Sequence, residues 1–327
     1  RTATEPVITA LVDALRDADW RVRKNAAGAL GRLGKRAAIE PVVAALADAL
    51  RNTDRKVRGY AAEALGELGE RAATEPVITA LVDALRDAYS GVGVQVRAAW
   101  ALGALGKRAA TDSVIAALAD ALRDTDEDMR QVAARALGKL GEPAATELVL
   151  SALVEALRDK FEVVRREAAI ALGNFGKPAA TEPVLAALVD ALHDEHKWVR
   201  EKAVKALGKL DKNAATEPVL QALITLLSQS KEENISEAVQ VIHSVGRTHL
   251  NRFVADWLTA TQSLTQSQKL TEVNLQTLRN LAVTAVMTNT ISWHLCWDVE
   301  QQQYQCYLSQ PQQGHQYFAL TFTQVQL

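Results

Sequence analysis

Cysteine is nearly absent: Cys296 and Cys306 are the two in 327 residues. That excludes a small disulfide-stapled secreted fold, and two cysteines in so long a chain read as reduced thiols of a cytoplasmic protein. Aromatic residues make up only 5%. No apolar stretch reaches the roughly 18 residues that a membrane span needs, and no signal-peptide pattern is present, so a membrane is not an expected partner. Neither charge dominates. The 37 Lys and Arg stand against 39 Asp and Glu, for a net charge of −2, and a pI near 6.4 lacks the basic footprint of a phosphate-binding surface. Nucleic acid is therefore not an expected partner either.

Catalytic motifs are missing as well. The strings GRLGKR and GALGKR resemble a phosphate-binding loop superficially, but no Ser or Thr follows Lys35 or Lys107, and both strings end helices rather than follow strands. His193, His196, His243 and His249 are isolated. His294, Cys296, Cys306 and His315 offer the ligand types of a zinc site, but the H-x-C and C-x8-H spacings match no common finger. Strand alternation also turns Cys296 and Cys306 to opposite faces. No metal, cofactor or catalytic residue is expected, and the chain reads as a non-enzyme.

What the sequence has is repetition. ATEPVITALVDALRDA occurs at Ala3–Ala18 and again, unchanged, at Ala73–Ala88. The unit restarts at Ala3, Ala38, Ala73, Ala110, Ala145, Ala180 and Ala215, a period of 35 residues with a two-residue insertion in the third unit. So short a unit cannot bury a hydrophobic face alone, and neighbours must stack into an array with a continuous core. The expectation is a mainly α fold, an α-solenoid of seven helical hairpins over residues 1–247 wound as an elongated right-handed superhelix.

Each unit reads as two helices. In the first, Val7, Leu11, Ala14 and Leu15 lie at helical spacing behind an acidic, proline-tolerant first turn of Thr4, Glu5 and Pro6. In the second, Val22, Ala26, Ala29, Leu30 and Leu33 share a face, and Gly34 stops the helix where a left-handed residue is wanted. Alanine pairs such as Ala26 and Ala27 imply close stacking of the second helices. The glycine inside each helix end (Gly31, Gly66, Gly103, Gly138, Gly173, Gly208) costs roughly 1 kcal/mol of helix propensity against Ala, so its recurrence implies a tight helix crossing.

An Asp or Asn in the turn precedes an arginine by six residues in five units: Asp17 and Arg23, Asn52 and Arg58, Asp124 and Arg130, Asp159 and Arg165, Asp194 and Arg200. The pattern predicts a framework of caps and side-chain pairs along the array. V-R-x-x-A-A-x-A-L-G-x-L-G after such a turn resembles HEAT repeats, specifically the phycobilisome-lyase-like subclass. The resemblance covers residues 3 to about 246. It also extends to the C-terminal repeat arrays of bacterial NACHT-type signalling ATPases. It implies a right-handed solenoid and a binding scaffold, the sensor part of a larger signalling protein, with a bilin lyase or chaperone as the alternative that pigment uptake would reveal. The iron-binding hydroxylase branch carries His-Glu steps, and this chain has none. Arg1 stands two residues before a regular unit, which suggests a domain preceding it in a longer polypeptide.

Composition changes after Gly246. Residues 248–327 hold seven charged side chains against fourteen Gln and half of the Trp. Helices are expected over about 250–262 and 269–288, then three antiparallel strands around Trp293–Val299, Tyr304–Ser309 and Tyr317–Val325. This small C-terminal α/β module is expected to cap the array.

Positions that vary between units mark surface free of packing constraints. On the second helices they are the third, sixth and tenth residues after the Val22 position, and HEAT-like arrays put these helices on the concave side. Tyr60, Trp100, Val132 and Ile170 are large apolar residues there, flanked by Arg97, Arg135, Lys202 and Lys205. Exposed aromatics beside arginine are what a protein-binding centre contains, so a protein or peptide partner is expected in this groove. Trp100 is expected to be solvent-accessible at its centre.

Overall fold

A computed structural model describes residues 5–87 and 91–210, the helical positions Val219 and Ala222, and the backbone of 292–298, 303–309 and 319–322. Two compact units divide at Leu210 and Asp211. The first contains twelve α-helices among the described residues: α1 (Glu5–Ala14), α2 (Trp20–Arg32), α3 (Glu40–Ala49), α4 (Arg55–Leu68), α5 (Glu75–Arg86), α6 (Val92–Ala104), α7 (Asp112–Ala121), α8 (Glu127–Leu140), α9 (Glu147–Ala156), α10 (Glu162–Phe175), α11 (Glu182–Ala191) and α12 (Lys197–Lys209). They form six hairpins at the repeat boundaries read above. The seventh hairpin, the helices expected after residue 248 and the side chains of the candidate zinc residues lie outside the described residues.

The glycine after five second helices explains how each hairpin ends. Gly34, Gly69, Gly106, Gly141 and Gly176 all take a positive φ of +57° to +72°, which only glycine adopts without strain. A short 3₁₀ turn follows, and an acidic residue then opens the next first helix.

Hairpins stack in two layers, odd-numbered helices against odd and even against even. The even layer is the tighter. A Cβ added at Gly103 would lie 2.6 Å from the Ala136 Cα, and one at Gly138 or Gly173 2.8 Å from Ala171 or Ala206. The recurring glycine thus lets the backbones of successive second helices meet, and its opposite number is the alanine two or three residues beyond the buried alanine pair. A stack spaced more closely in one layer curves toward that layer, so the even helices line the inner face.

One hairpin is covered on one side only. Val7 is 49% exposed and Val22 38%, whereas their equivalents Val77 and Val57 are 1% and 0% exposed. Val22 therefore does not share the buried face expected for it, because that part of each hairpin is covered by its predecessor. The identical sixteen-residue segments allow a controlled comparison. Val7→Ala is expected to leave the urea midpoint almost unchanged, whereas Val77→Ala lowers stability by about 2 kcal/mol, the value of two buried methyl groups.

The turn arginines form a ladder. Arg130 Nη1 donates to the carbonyls of Asp124 and Thr125 in its own turn, while Nε and Nη2 clasp Asp159 of the next turn at 2.6 and 3.1 Å. Arg165 repeats the pattern on Asp194 at 2.7 and 3.0 Å. Each Asp also accepts a backbone amide two residues ahead, Phe161 on Asp159 and His196 on Asp194. One carboxylate therefore closes its own turn and the joint behind it. At the first joint the acceptor is the amide Asn52, 3.4 Å from Arg23 Nη2, and Arg23 Nε is buried without a partner. Asn52→Asp should supply the missing clasp and raise stability by about 1 kcal/mol, read as a higher urea midpoint. In the third unit Gln95 stands where the others have arginine, and it donates to the Leu85 carbonyl. The insertion is absorbed ahead of α6, which starts two residues before its Val94 just as α2 starts two before Val22. Gly91 caps α6 in place of the aspartate used at Asp19, Asp54 and Asp126.

In the second unit, β1 (Ser292–Asp298), β2 (Gln303–Ser309) and β3 (Ala319–Phe322) form an antiparallel sheet in the order β1-β2-β3. The register pairs Cys306 with Leu295 and Cys296 with Gln305, so the cysteines do not face each other across the ladder. No described helix is long and apolar enough to cross a membrane.

Candidate functional site

The inner face is built from the outward residues of α2, α4, α6, α8, α10 and α12. Tyr60, Arg97, Trp100, Val132, Arg135, Ile170 and Lys202 are half-buried there, and Lys205 is exposed. They do not form one patch of apolar residues with unengaged cations around it. Tyr60, Trp100, Arg97 and Arg135 are each engaged with a neighbouring unit, and Lys202 and Lys205 pair within α12.

Trp100 lies across Gly66 of the preceding helix, where an added Cβ would overlap its indole, and the Lys139 ammonium sits 5.7 Å over the same ring. It is half-buried rather than open, because the glycine of α4 leaves a notch that the indole fills. Trp100→Ala is accordingly expected to cost about 2 kcal/mol of stability, near half the value for a fully buried aromatic, measured by urea unfolding. Tyr60 lies in the same way over Gly28, its ring carbon 3.2 Å from an added Cβ. Lys24 and Arg97 stand 5.3 and 5.8 Å over its ring.

The arginines are held by carboxylates that the sequence reading had placed among the variable positions without a role. Arg97 Nε donates to Glu63 at 3.1 Å. Arg135 reaches Glu167 through two nitrogens at 3.2 and 3.0 Å, and Arg166 meets the same carboxylate at 3.2 Å. Glu167 is 6% exposed, and its hydrogen bonds hold the Arg135 guanidinium more firmly protonated than an exposed arginine. Lys202 and Lys205 share Glu201, whose carboxyl is held below its ordinary range by hydrogen bonds from Lys205 and then Lys202. Glu67 is the exception. Burial and then the neighbouring Glu63 charge push its carboxyl up, against the pull of Arg32.

Sequence reading missed a larger pattern. The even-numbered helices carry 18 Lys and Arg against seven Asp and Glu, while the odd-numbered helices carry twelve Asp and Glu against the single Arg86. All twelve acids are exposed. The near-neutral chain is therefore layered, acidic outside and basic inside. Five of the even-layer arginines are committed to the turns as Arg23, Arg58, Arg130, Arg165 and Arg200. A charge count taken helix by helix would have found this; the count over the whole chain cancels it. Lys24, Lys56 and Lys139 stand over Trp20, Tyr60 or Trp100, 4.6 to 5.9 Å from the ring centres.

Comparison with known proteins agrees with the stacked hairpins. Among solved structures, an engineered protein is 22% identical with a TM-score of 0.57, the match covering 86% of this chain and 82% of that one. Another engineered protein is 26% identical with a TM-score of 0.51, covering 64% and 99%. A designed armadillo repeat protein, solved in complex with the peptide (KR)4, is 21% identical with a TM-score of 0.50, covering 62% and 98%. No curated protein matches the chain. The profile of HEAT repeats matches residues 8–93, 43–115, 78–153 and 150–243. Overlapping matches of that extent take in well over half of the sequence, and the chain belongs to the HEAT-repeat family.

Proposed function

We propose that this chain is a non-catalytic binding scaffold that takes a protein or peptide along the inner face of its even-numbered helices, as the sensing or interaction portion of a cytoplasmic signalling protein. One observation carries the reading. Tyr60, Trp100, Val132 and Ile170 are large, only half-buried, and set on helices that already pack against their hairpin partners and their even-numbered neighbours. Apolar residues fixed on rigid helices need no ordering when a partner arrives, so the entropic cost of binding is small. HEAT and armadillo-like scaffolds commonly mediate protein binding, and the designed armadillo neighbour holds a peptide.

The test is selection of a random dodecapeptide library on the whole chain, followed by affinity measurement against Val132→Asp/Ile170→Asp. Selected peptides are expected to lose at least tenfold in affinity on that variant, as when central contacts of an interface are removed. Equal binding to both proteins would remove the inner face from the function.

A further inference from the structure

The layering of charge narrows the partner. We propose that the inner face recognises an extended acidic peptide segment interspersed with apolar side chains, an inference that rests on the inner face being the binding surface.

Among the described residues, two sets of cations on this face differ in their partners, while Lys209 instead donates to the Asn174 amide oxygen. Arg97, Arg135, Arg166, Lys202 and Lys205 each have a carboxylate within hydrogen-bonding distance. Lys24, Lys56 and Lys139 instead lie against aromatic rings, with no carboxylate within 4.0 Å. The rings hold the three lysine stems in place and leave the ammonium groups unneutralised, which is the arrangement that a carboxylate from outside completes. The acidic outer layer repels the same ligand, so the field directs an anion to the inner side. Trp100 lies on α6 between Lys56 and Lys139, Val132 shares α8 with Lys139, and Ile170 follows on α10, all half-buried and apolar.

Those intervals separate an acidic peptide from nucleic acid. A phosphate backbone carries a charge at every nucleotide and favours an uninterrupted row of cations. Here Glu63, Glu67, Glu167 and Glu201 break the row, and apolar side chains occupy the gaps. Helices packed face to face stand about 9 Å apart, and an extended chain advances about 3.3 Å per residue. A peptide crossing the inner face therefore has about three residues per hairpin, enough for one carboxylate and one apolar side chain at each.

The dodecapeptides selected above supply the probe, with single-stranded dT20 as the competing class. The enriched peptides should be rich in Asp and Glu alternating with apolar residues. Their affinity should fall at least tenfold on Lys24→Glu/Lys56→Glu/Lys139→Glu, a variant whose exposed or half-exposed sites leave the helical circular dichroism unchanged, and should weaken as salt rises from 50 to 300 mM. Neutral or basic peptides that still require Val132 and Ile170 would overturn the acidic partner while leaving the binding face in place. Peptides indifferent to both variants would overturn the face itself. Binding of dT20 more tightly than any selected peptide, with loss on the lysine variant, would overturn the inference in favour of nucleic acid.

Discussion

Gly103→Leu should destabilise the first compact unit by about 3 kcal/mol, the upper end of what overpacking a well-filled site costs. The direction is not obvious from propensity, since removing a helical glycine by itself gains roughly 1 kcal/mol. Geometry decides. The added Cβ would stand 2.6 Å from the Ala136 Cα and 2.9 Å from its Cβ, and backbone cannot rotate away as a side chain can. Relief requires α6 and α8 to separate, which exposes the apolar surface that each buries on the other. Arg32→Leu is the control, because it adds a similar apolar side chain to the exposed side of α2 and should shift stability by no more than about 0.5 kcal/mol. Equilibrium urea unfolding of both variants measures the contrast. An unchanged midpoint for Gly103→Leu would mean that the even helices do not meet at backbone distance.

Asp194→Ala should cost about 3 kcal/mol. The pair Arg165–Asp194 is 8% and 10% exposed, so removing the carboxylate strands a guanidinium that has little water to turn to. The same change also takes the acceptor from the His196 amide. Stability should depend on pH in a matching way. Burial alone would raise the Asp194 carboxyl, but the Arg165 hydrogen bond, the His196 amide and the nearby positive charges outweigh it and hold it below its ordinary value. Asp159, clasped by Arg130, is lowered by the same balance. A carboxyl whose pKa is depressed by folding contributes its full stabilisation above the unfolded-state value and loses it as pH falls through the folded one. Urea midpoints should therefore hold from neutrality down to the ordinary carboxylate range and drop steeply below it. In Asp194→Ala that drop should be shallower, because one of the three described carboxyls held low by folding, Asp159, Asp194 and Glu201, is gone.

Most of the architecture was legible because the duplication repeats each local rule several times. Gly34 and its equivalents announced the helix ends, and Arg130 with Asp124 announced the turn. Both are interactions within one unit, and one unit's sequence contains all that they need. The joint between units was less visible. Nothing near Arg130 in sequence marks Asp159, 29 residues on, as its clasp, and the Trp100 indole fits Gly66 only because α4 and α6 lie at a particular offset. For the same reason Trp100 read as an open anchor and proved to be half-buried. Val22 read as buried from its face alone, although burial there depends on a neighbour before it. The groups that prolong the aromatic surface, Lys24, Lys56 and Lys139, were hidden for a different reason. Their meaning lies in the layer they belong to, and net charge sums over both layers.

The interrupted arginine ladder has a mechanical reading. A stack of hairpins behaves as an elastic rod, and a carboxylate clasp at each turn acts as a strut that resists shear between neighbours. Struts cross the joints from the fourth hairpin to the sixth, at Arg130–Asp159 and Arg165–Asp194. Gln95, whose amide turns back to Leu85 in its own hairpin, provides no strut from the third hairpin to the fourth. Under bending load such a rod is stiffest from the fourth hairpin to the sixth, and changes in its curvature fall on the joints without a carboxylate clasp, the first, at Asn52, and that from the third hairpin to the fourth.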